Sequence, residues 1–186
     1  MQIPRSIELI SSDERFILRP PEMEDASAIY EAVLVSKEHL MPWMDWCKPD
    51  YSIDVTLEWL RDLPVQWEEG ESFQFGIFDA TSDQFLGSCG INHLNQFYRL
   101  ANLGYWVRSD RTSEGVATEA ARRLAEFGFH DLGLERIEIV TGVENGASRR
   151  VAEKTGAHYE GVLRNRLKFG DRNIDGAMHS LIPEDF

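Results

Sequence analysis

The sequence predicts an α+β sandwich, in which a mixed, mostly antiparallel sheet carries helices on its faces. Short apolar and β-branched runs alternate with segments whose apolar residues recur at the helical period, in the order β-α-α-β-β-β-α-β-α-β-β. Three of the strand-like runs follow one another with short connections, which favours an antiparallel meander. The chain has 186 residues, of which 42% are hydrophobic, so we expect residues 1–186 to form a single domain.

The first third of the chain is predicted to hold one strand and two helices. Residues 14–19 read as a strand that ends at two prolines. Asp25 is placed to cap the first helix, and Asp54 to cap the second, which Pro64 is expected to kink or divide. Residues 39–50 are aromatic, contain two prolines and show no period, which predicts a loop.

The remaining two thirds are predicted to hold six strands and two helices. The longer helix has Val116, Ala120, Leu124 and Phe127 at the helical period. In chain order, the predicted elements are strands 72–78, 84–92 and 101–108, helix 115–130, strand 136–141, helix 147–154 with Gly156 as its C-terminal cap, and strands 159–169 and 173–181 around a turn at Gly170 and Asp171.

The composition excludes several classes of function. A formal net charge of −13 repels nucleic acid and anionic membranes, so neither is expected as a partner. The same field would attract a cationic amine, although excess carboxylates also serve simply to keep a protein soluble. No apolar run is long enough to span a bilayer, and the N-terminal residues lack the apolar segment of a secretory signal, which predicts a cytoplasmic protein.

The cysteines and histidines do not suggest a metal site. Cys47 and Cys89 form no CxxC pair, and the five histidines show no ligand spacing, so we expect neither a disulfide framework nor a metal cofactor. Cys89 and His93 do not make a convincing nucleophilic dyad, because they lie in and just after a predicted sheet strand.

Residues 108–120 (RSDRTSEGVATEA) could bind a pyrophosphate. They lie between a strand and an amphipathic helix, and Gly115 allows a tight turn or a close approach of a ligand. Unpaired N–H groups at the helix start would form an anion site, to which Arg111, Thr112, Ser113 and Thr118 could add donors. A serine-rich turn before a helix can equally be only a cap. The chain lacks both a P-loop and a dinucleotide-binding GxGxxG motif.

Residues 104–129 (GYWVRSDRTSEGVATEAARRLAEFGF) resemble motif A of the GCN5-related N-acetyltransferase (GNAT) superfamily. In that family a Gln or Arg, two variable residues, Gly, one variable residue and Gly or Ala wrap the pyrophosphate of coenzyme A. Gly115 and Ala117 match this pattern, whereas Thr112 replaces the leading Gln or Arg and Arg111 lies one place earlier. The carboxylate of Glu114 would have to point away from the pyrophosphate.

A second block, residues 132–164, is similar to the branch of this family that acetylates the N-termini of ribosomal proteins. That branch shows a strand, Asn-x-x-Ser, a short helix ending in Lys-x-Gly, and then Glu-Gly. Residues 14–26 (ERFILRPPEMEDA) and 72–91 (SFQFGIFDATSDQFLGSCGI) also look like this branch, so the resemblance covers nearly the whole chain. The matching residues of the second block are Asn145, Ser148, Lys154, Gly156, Glu160 and Gly161.

The resemblance implies the GNAT acyl-CoA N-acyltransferase fold and direct acetyl transfer from acetyl-CoA, without a covalent enzyme intermediate or a metal. Strands 103–108 and 136–141 would splay apart and hold the pantetheine arm between them, and a backbone N–H near Trp106 or Val107 would polarise the thioester carbonyl. Asn145 would hold the arm, and Ser148 would act as general acid or thiolate donor, although both could instead cap a helix. The expected coenzyme-binding residues are Trp106, Val107, Arg108, Arg111, Thr112, Ser113, Gly115, Val116, Ala117, Thr118, Asn145 and Ser148.

The resemblance leaves the general base open. Many relatives have a glutamate just before the GYW segment, where this chain has Asn102. A water near Asn102 could take the proton, or Glu71 or Glu160 could act, and an α-amine is already partly neutral near pH 7. The acceptor pocket is expected to be lined by His39, Trp43 and Trp46, together with Glu71. The two tryptophans could equally close the core beneath their loop.

Three functions remain open on the sequence. The first is an N-acetyltransferase acting on a protein or peptide N-terminus. The second acts on a small amine such as an amino sugar, an antibiotic or a polyamine. The third is a non-catalytic acyl-CoA-binding module, favoured by Thr112 and by the missing acids but opposed by Asn145 and Ser148. Relatives are monomers or homodimers, and the sequence does not distinguish the two states.

Overall fold

The computed structural model describes residues 5–186, which form a sheet of eight strands with four helices. All adjacent strands pair antiparallel except β5 and β6, which are parallel, and the strand order is β1-β2-β3-β4-β5-β6-β8-β7. The predicted α+β sandwich is therefore confirmed. The elements are β1 Leu9–Ile10, β2 Phe16–Arg19, α1 Ala26–Leu40, α2 Ile53–Glu68, β3 Phe73–Asp79, β4 Phe85–Asn95, β5 Leu100–Val107, α3 Val116–His130, β6 Arg136–Gly142, α4 Gly146–Thr155, β7 His158–Phe169 and β8 Arg172–Leu181.

The ends of the first two helices differ from the prediction. Helix α1 continues to Leu40, so His39 lies in its last turn and not in the following loop. The N-cap of α2 is Ser52, and Asp54 lies in the first turn, where its charge still favours the positive end of the helix dipole. Pro64 does not divide α2, because the buried side chains on either side of it hold the helix against the sheet.

Asp25 occupies the N-cap position of α1, as predicted, but its carboxylate does not bind the N–H groups of that helix. It accepts two hydrogen bonds from the Arg19 guanidinium, at 2.8 and 2.9 Å, and one from the backbone N–H of Glu22 at 2.8 Å. The Asp25 carboxylate therefore ties the end of β2 to the start of α1.

Two clusters of buried side chains hold the helices to the sheet. One cluster joins α3 to the central strands, where the rings of Phe75 and Phe127 meet edge-on with centroids 5.3 Å apart. The other joins α1 and α2 to β3 and β4 through Phe78 and Phe85. The apolar positions that predicted α3 are all buried, which is what an amphipathic helix on a sheet requires.

Strands β5 and β6 separate part-way along their length, and this separation positions the site. They pair only where Leu100, Ala101 and Asn102 lie beside Arg136, Ile137 and Glu138. Beyond these pairs β5 continues to Val107 with one edge open, while β6 continues to Gly142 beside β8 alone. The expected divergence of the two strands is thus present.

Two further observations concern the described residues as a whole. None of the helices in residues 5–186 is both long enough and apolar enough to cross a membrane. Within the same range, no group of three or more histidine, cysteine, aspartate or glutamate side chains is arranged to hold a metal ion.

Candidate active site

A cavity of about 450 Å³ lies where β5 and β6 part. Its floor is formed by residues 103–106 of β5 and 139–142 of β6, and Asn145 and Ser148 lie at its α4 side. The aromatic segment after α1 contributes Trp43 and Trp46 to the opposite wall. The strand divergence therefore opens into a pocket of a size that suits a small ligand.

The open edge of β5 presents alternate backbone groups to this cavity. Arg108 N–H donates to the Leu86 carbonyl on β4 at 2.8 Å, and hydrogen-bonding direction alternates along a strand. The N–H of Trp106 therefore points to β4, whereas those of Tyr105 and Val107 point into the gap. Of the two candidates for polarising a carbonyl, the register favours Val107, and Trp106 contributes its indole to the cavity wall instead.

The start of α3 carries a group of unpartnered N–H donors. Gly115 is the N-cap, in the left-handed conformation with φ 87° and ψ −4°, and the first helical bond runs from Glu119 N–H to the Gly115 carbonyl at 3.0 Å. Among residues 5–186, no acceptor binds the N–H groups of residues 115–118. Val116 is buried, and Ala117 and Thr118 are half-buried, so the first turn stays small. This arrangement forms an anion site in which the backbone supplies the donors.

Asn145 and Ser148 have distinct positions at the start of α4. Asn145 is the N-cap, and its Oδ1 accepts a hydrogen bond from Ser148 N–H at 3.1 Å. The side chain of Ser148 makes no capping bond, because Ser148 lies in the first turn and its Oγ donates to Tyr105 Oη at 3.3 Å. The alternative in which Ser148 is only a cap is therefore wrong, and its hydroxyl lies at the wall of the cavity.

Tyr105 is the residue that the sequence did not single out. Its Oη donates to the backbone carbonyl of Ser148 at 2.9 Å and accepts from Ser148 Oγ, so it fixes the start of α4 to β5. Burial raises the pKa of Tyr105 to about 12, which keeps its proton in place at neutral pH. The only signal for it in the sequence was its place in the GYW segment.

These features match a known family. A family model described as an acetyltransferase (GNAT) domain matches residues 15–158. The chain belongs to the GNAT acetyltransferase family. The GNAT resemblance drawn from the two sequence blocks is thereby confirmed, and the chain is an N-acetyltransferase by family.

Relatives and solved structures agree with this membership. An uncharacterised N-acetyltransferase of Bacillus licheniformis is 29% identical over 93% of this chain and 96% of its own length. The ribosomal-protein-serine acetyltransferase of Escherichia coli is 22% identical over 94% of this chain and 97% of its own. The structure of Mycobacterium smegmatis RimJ in complex with CoA-disulfide superimposes with a TM-score of 0.84 at 28% identity, covering 97% of this chain and 88% of that one.

The two arginines expected to bind the coenzyme in this GNAT chain are engaged elsewhere. Arg108 is only 4% exposed, and its guanidinium forms bidentate pairs with Glu31 and Asp110. Arg111 donates to Glu114, Gln84 and Asp79. Each guanidinium would have to break these ion pairs to bind a pyrophosphate, so we expect the loop backbone, and not these two side chains, to supply the contacts.

The remaining polar residues of the motif A loop stay on the surface of the GNAT domain. The Glu114 carboxylate binds Arg111 at 2.9 Å, and its backbone carbonyl accepts from Arg15 at 3.2 Å. Thr112 Oγ1 donates to the Ser109 carbonyl at 3.2 Å, and Ser113 is exposed with φ 68°. The carboxylate of Glu114 is thus neutralised within the loop, which removes the electrostatic conflict that its position suggested.

Two of the three candidates for the general base are poorly placed. The pKa of Glu160 is lowered to about 2 by the Arg136 guanidinium, at 2.7 and 2.5 Å, and Ser180 also donates to this carboxylate. Glu71 is exposed before β3 and does not line the cavity. Both assignments are therefore withdrawn. Asn102 donates to Asn92 Oδ1 at 2.9 Å, and Asn92 faces the cavity, so a polar but neutral amide pair occupies this position.

Of the four residues expected to line the acceptor pocket, two line this cavity. Trp43 and Trp46 line the cavity, and Trp46 also packs against Tyr51 and Trp106 with ring centroids 5.8 and 5.9 Å away. Trp46 is 40% exposed and Trp43 half-buried, so both rings line the cavity and neither belongs to the buried core. His39 is exposed on α1 and, like Glu71, lies outside the cavity.

Proposed function

We propose that this GNAT N-acetyltransferase transfers the acetyl group of acetyl-CoA to the α-amine of a protein or peptide N-terminus. One observation carries the proposal: among the described residues that line the cavity, none is an aspartate, glutamate, histidine, lysine or arginine. The wall is built from aromatic, aliphatic, amide and hydroxyl groups and the sulfur groups of Met44 and Cys89, whose thiol pKa is raised by burial. It therefore offers no anion to bind a charged amine and no carboxylate or imidazole to deprotonate one.

A neutral cavity favours an amine that loses its proton without help. An α-amine has an ordinary pKa of about 7.7–8.0, so about a third of it is neutral at pH 7.5, whereas a lysine side chain with a pKa of about 10.4 is neutral in only about one molecule in a thousand. At pH 7.5 the neutral, reactive fraction of an α-amine is therefore several hundred times that of a lysine side chain. A polyamine would meet the same penalty and would find no carboxylate in the cavity to hold its charge.

Three features of the described residues are suited to binding a CoA thioester. The N–H groups of residues 115–118 have no acceptor of their own, and the first turn of α3 is small enough for a diphosphate to approach. The open edge of β5 offers main-chain donors and acceptors of the kind that hold an extended chain as an added strand. Asn145 keeps its side-chain amide N–H₂ available, since only its Oδ1 serves as the cap.

In the reaction the acceptor nitrogen bonds to the thioester carbonyl carbon, the carbon–sulfur bond breaks, and the sulfur leaves as a thiolate. The nitrogen loses one proton to solvent as it becomes an amide, and the thiolate gains one proton, so the two transfers balance. Val107 N–H, on the open edge, supports the carbonyl oxygen as it gains charge. Ser148 Oγ lies on the same cavity, and its single proton, which Tyr105 Oη accepts in this structure, would turn toward the leaving sulfur as the thiolate forms. Positioning of the amine against the carbonyl supplies the rest of the rate enhancement.

Thiol release on three acceptors tests the proposal. We would compare a short peptide with a free N-terminal serine, the same peptide with a blocked N-terminus and one lysine, and spermidine. We expect turnover on the free N-terminus, with a kcat/KM that rises with pH up to about 8 as the amine deprotonates. Turnover on spermidine alone, or coenzyme binding without turnover on any amine, would contradict the proposal.

Substitution of Ser148 separates chemistry from binding. Ser148→Ala should lower kcat by about two orders of magnitude, the lower end of what a positioned proton donor contributes, and leave the Kd for CoA unchanged. Ser27→Ala, an exposed serine on α1, is the matched control and should have no effect. Equal kcat in the two variants would remove Ser148 from the mechanism.

A further inference from the structure

One glycine on the floor of the active-site cavity is not required by the packing of the protein. Gly104 lies in the middle of β5 and lines the cavity. A Cβ built there meets no atom closer than Asn102 Nδ2, at 4.0 Å, and the φ of Gly104 lies outside the left-handed region that favours glycine. Glycine inside a strand weakens the strand, and it often marks a place where a ligand comes close to the backbone. The open space above Gly104 therefore suits a ligand.

The glycine beside it, by contrast, is required by a neighbouring side chain. Gly90 on β4 pairs with Gly104 on one side and with Gln74 of β3 on the other. The side-chain amide of Gln74 lies directly over Gly90, since a Cβ built on Gly90 would come within 2.2 Å of Gln74 Oε1. Adjacent strands lie about 4.8 Å apart, so the amide that covers Gly90 forms one wall of the space above Gly104.

Two polar groups beside this space have no partner within the described residues. Gln74 Nε2 donates to Ser72 Oγ at 2.9 Å, but among residues 5–186 no group donates to Gln74 Oε1. Ser88 lies two residues before Gly90 and therefore on the same face of β4, and it lines the cavity although it is only 4% exposed. Its hydroxyl also lacks a hydrogen-bond partner in this range. A buried hydroxyl is costly to leave unpaired, so a bound ligand is expected to complete its hydrogen bonding.

The space above Gly104 adjoins the place where the acetyl group would be transferred. The N–H of Val107 points into the gap between β5 and β6, where it would support the thioester carbonyl. Gly104 and Trp106 present their side-chain positions to the other face of the sheet, where the rings of Trp106 and Trp46 lie 5.9 Å apart. One residue of strand spans about 3.3 Å, which is close to the separation that an attacking atom and a carbonyl carbon need.

We propose that the acceptor amine occupies the space above Gly104, and that Gln74 Oε1 and Ser88 Oγ accept hydrogen bonds from its N–H groups. The inference rests on the proposed function and deepens it by naming the residues that bind the amine, which together form the amine niche. Both oxygens are uncharged, so they orient a neutral amine toward the thioester carbon without the preference for an ammonium ion that a carboxylate would introduce. Such a niche suits a cavity without a base.

Gly104→Ala tests the space itself. Thiol release would be measured on the peptide with a free N-terminal serine and on spermidine, with the Kd for CoA and the free energy of unfolding determined on the same preparations. The added methyl group touches no other part of the fold, so stability and CoA affinity should not fall. We expect kcat/KM on the peptide to drop about a hundredfold, because displacement of a reacting atom by about 1 Å has an effect of that size.

Two substitutions of Gln74 test the hydrogen bond. Gln74→Met keeps the length of the side chain but removes the amide, and it should lower kcat/KM about two- to tenfold, the effect of one ordinary hydrogen bond. Gln74→Glu places a carboxylate beside the amine. It should raise kcat/KM on spermidine about five- to tenfold, since a hydrogen bond between a cation and a carboxylate is stronger than one to an amide. Gln96→Met and Gln96→Glu are matched controls at an exposed glutamine outside this cavity, and neither should change kcat/KM.

Other outcomes would overturn the inference. It fails if Gly104→Ala keeps the kcat/KM of the wild type, if that variant weakens CoA, or if the Gln74 variants behave like the Gln96 controls. Should Gly104→Ala not fold, the four glutamine variants decide the matter. If the wild type acetylates only spermidine, the N-terminal acceptor is wrong, and the amine niche is judged by the losses that Gly104→Ala and Gln74→Met show on spermidine. If no amine is acetylated, both proposals fall.

Discussion

Substitution of Gly115 by alanine would test whether the start of α3 binds the coenzyme through its backbone. Gly115 has φ 87° and ψ −4°, a conformation that costs an L-residue about 1–2 kcal/mol. A Cβ built at this position meets only Arg15 Nη2, at 3.5 Å, which is ordinary van der Waals contact. The expected loss in the free energy of unfolding is therefore the backbone cost alone, about 1–2 kcal/mol.

Gly156 provides a matched control for this strain. It is the C-cap of α4 with φ 103° and ψ 0°, and no atom lies within 4 Å of a Cβ built there. Gly156→Ala should therefore lose about the same free energy of unfolding as Gly115→Ala. The two variants should differ in coenzyme affinity, because relief of strain at Gly115 moves the N–H groups that follow it. Loss of one hydrogen bond to a charged group, about 1.5–3 kcal/mol, would raise the Kd for CoA by roughly ten- to a hundredfold.

Two measurements on the same preparations decide this prediction. Urea unfolding gives the free energy of unfolding of each variant, and calorimetric titration gives the Kd for CoA. The reasoning is refuted if both variants bind CoA as the wild type does, or if Gly156→Ala weakens CoA as much as Gly115→Ala. In either case the backbone of residues 115–118 would not be the anion site.

Two further predictions concern ionisable groups outside the cavity. Glu160→Gln should leave kcat unchanged. It should cost only about 1 kcal/mol of unfolding free energy at pH 7, because solvent screens a carboxylate that is 36% exposed. Since Arg136 lowers the pKa of Glu160 to about 2, this contribution to stability is present above pH 4.5 and is lost as the pH falls toward 2. A large fall in kcat with unchanged stability would instead restore Glu160 as a base. His179 is buried with neither ring nitrogen hydrogen-bonded to a described residue, and burial lowers its pKa. The unfolded chain therefore takes up this proton first as the pH drops through about 6.5, so the Tm should fall between pH 7.5 and 5.5 by an amount equivalent to at most about 1.4 kcal/mol. His179→Leu should lose most of that dependence, and an unchanged slope of Tm with pH would contradict this account of His179.

Part of the candidate site could be predicted because it depends on neighbours in the chain. Gly115 and Gly156 indicate helix caps in the left-handed conformation. Asn145 caps the helix that begins beside it, because its Oδ1 accepts a hydrogen bond from the N–H of Ser148, three residues along the chain. Conformations of this kind are set by φ, ψ and one or two adjacent side chains, so they are readable from the sequence. The order of strands and helices was predictable for the same reason, since the apolar period of each element is local.

The side chains that the structure engages elsewhere have partners both near and far along the chain. Arg108 binds Asp110, two residues away, and Glu31, 77 residues away, whereas Glu160 binds Arg136, 24 residues away. The end of α1 at Leu40 is set by packing of its last turns, which carries His39 out of the expected loop. The distant pairings leave no trace in the local sequence pattern, so charge and spacing alone suggested free side chains.

By itself the sequence determined the α+β sandwich, the GNAT family and the two segments that surround the cavity, because a period, a cap and an ordered motif are properties of neighbouring residues. Only the tertiary structure decided which charges are free. It holds the Arg108 and Arg111 guanidinium groups in ion pairs with Glu31 and Glu114, holds Ser148 against Tyr105 across 43 residues, and leaves Arg166 unpaired beside the cavity. The free energy of a charged or hydroxyl group depends on what lies within a few ångströms of it, and the fold brings those partners together from distant parts of the chain.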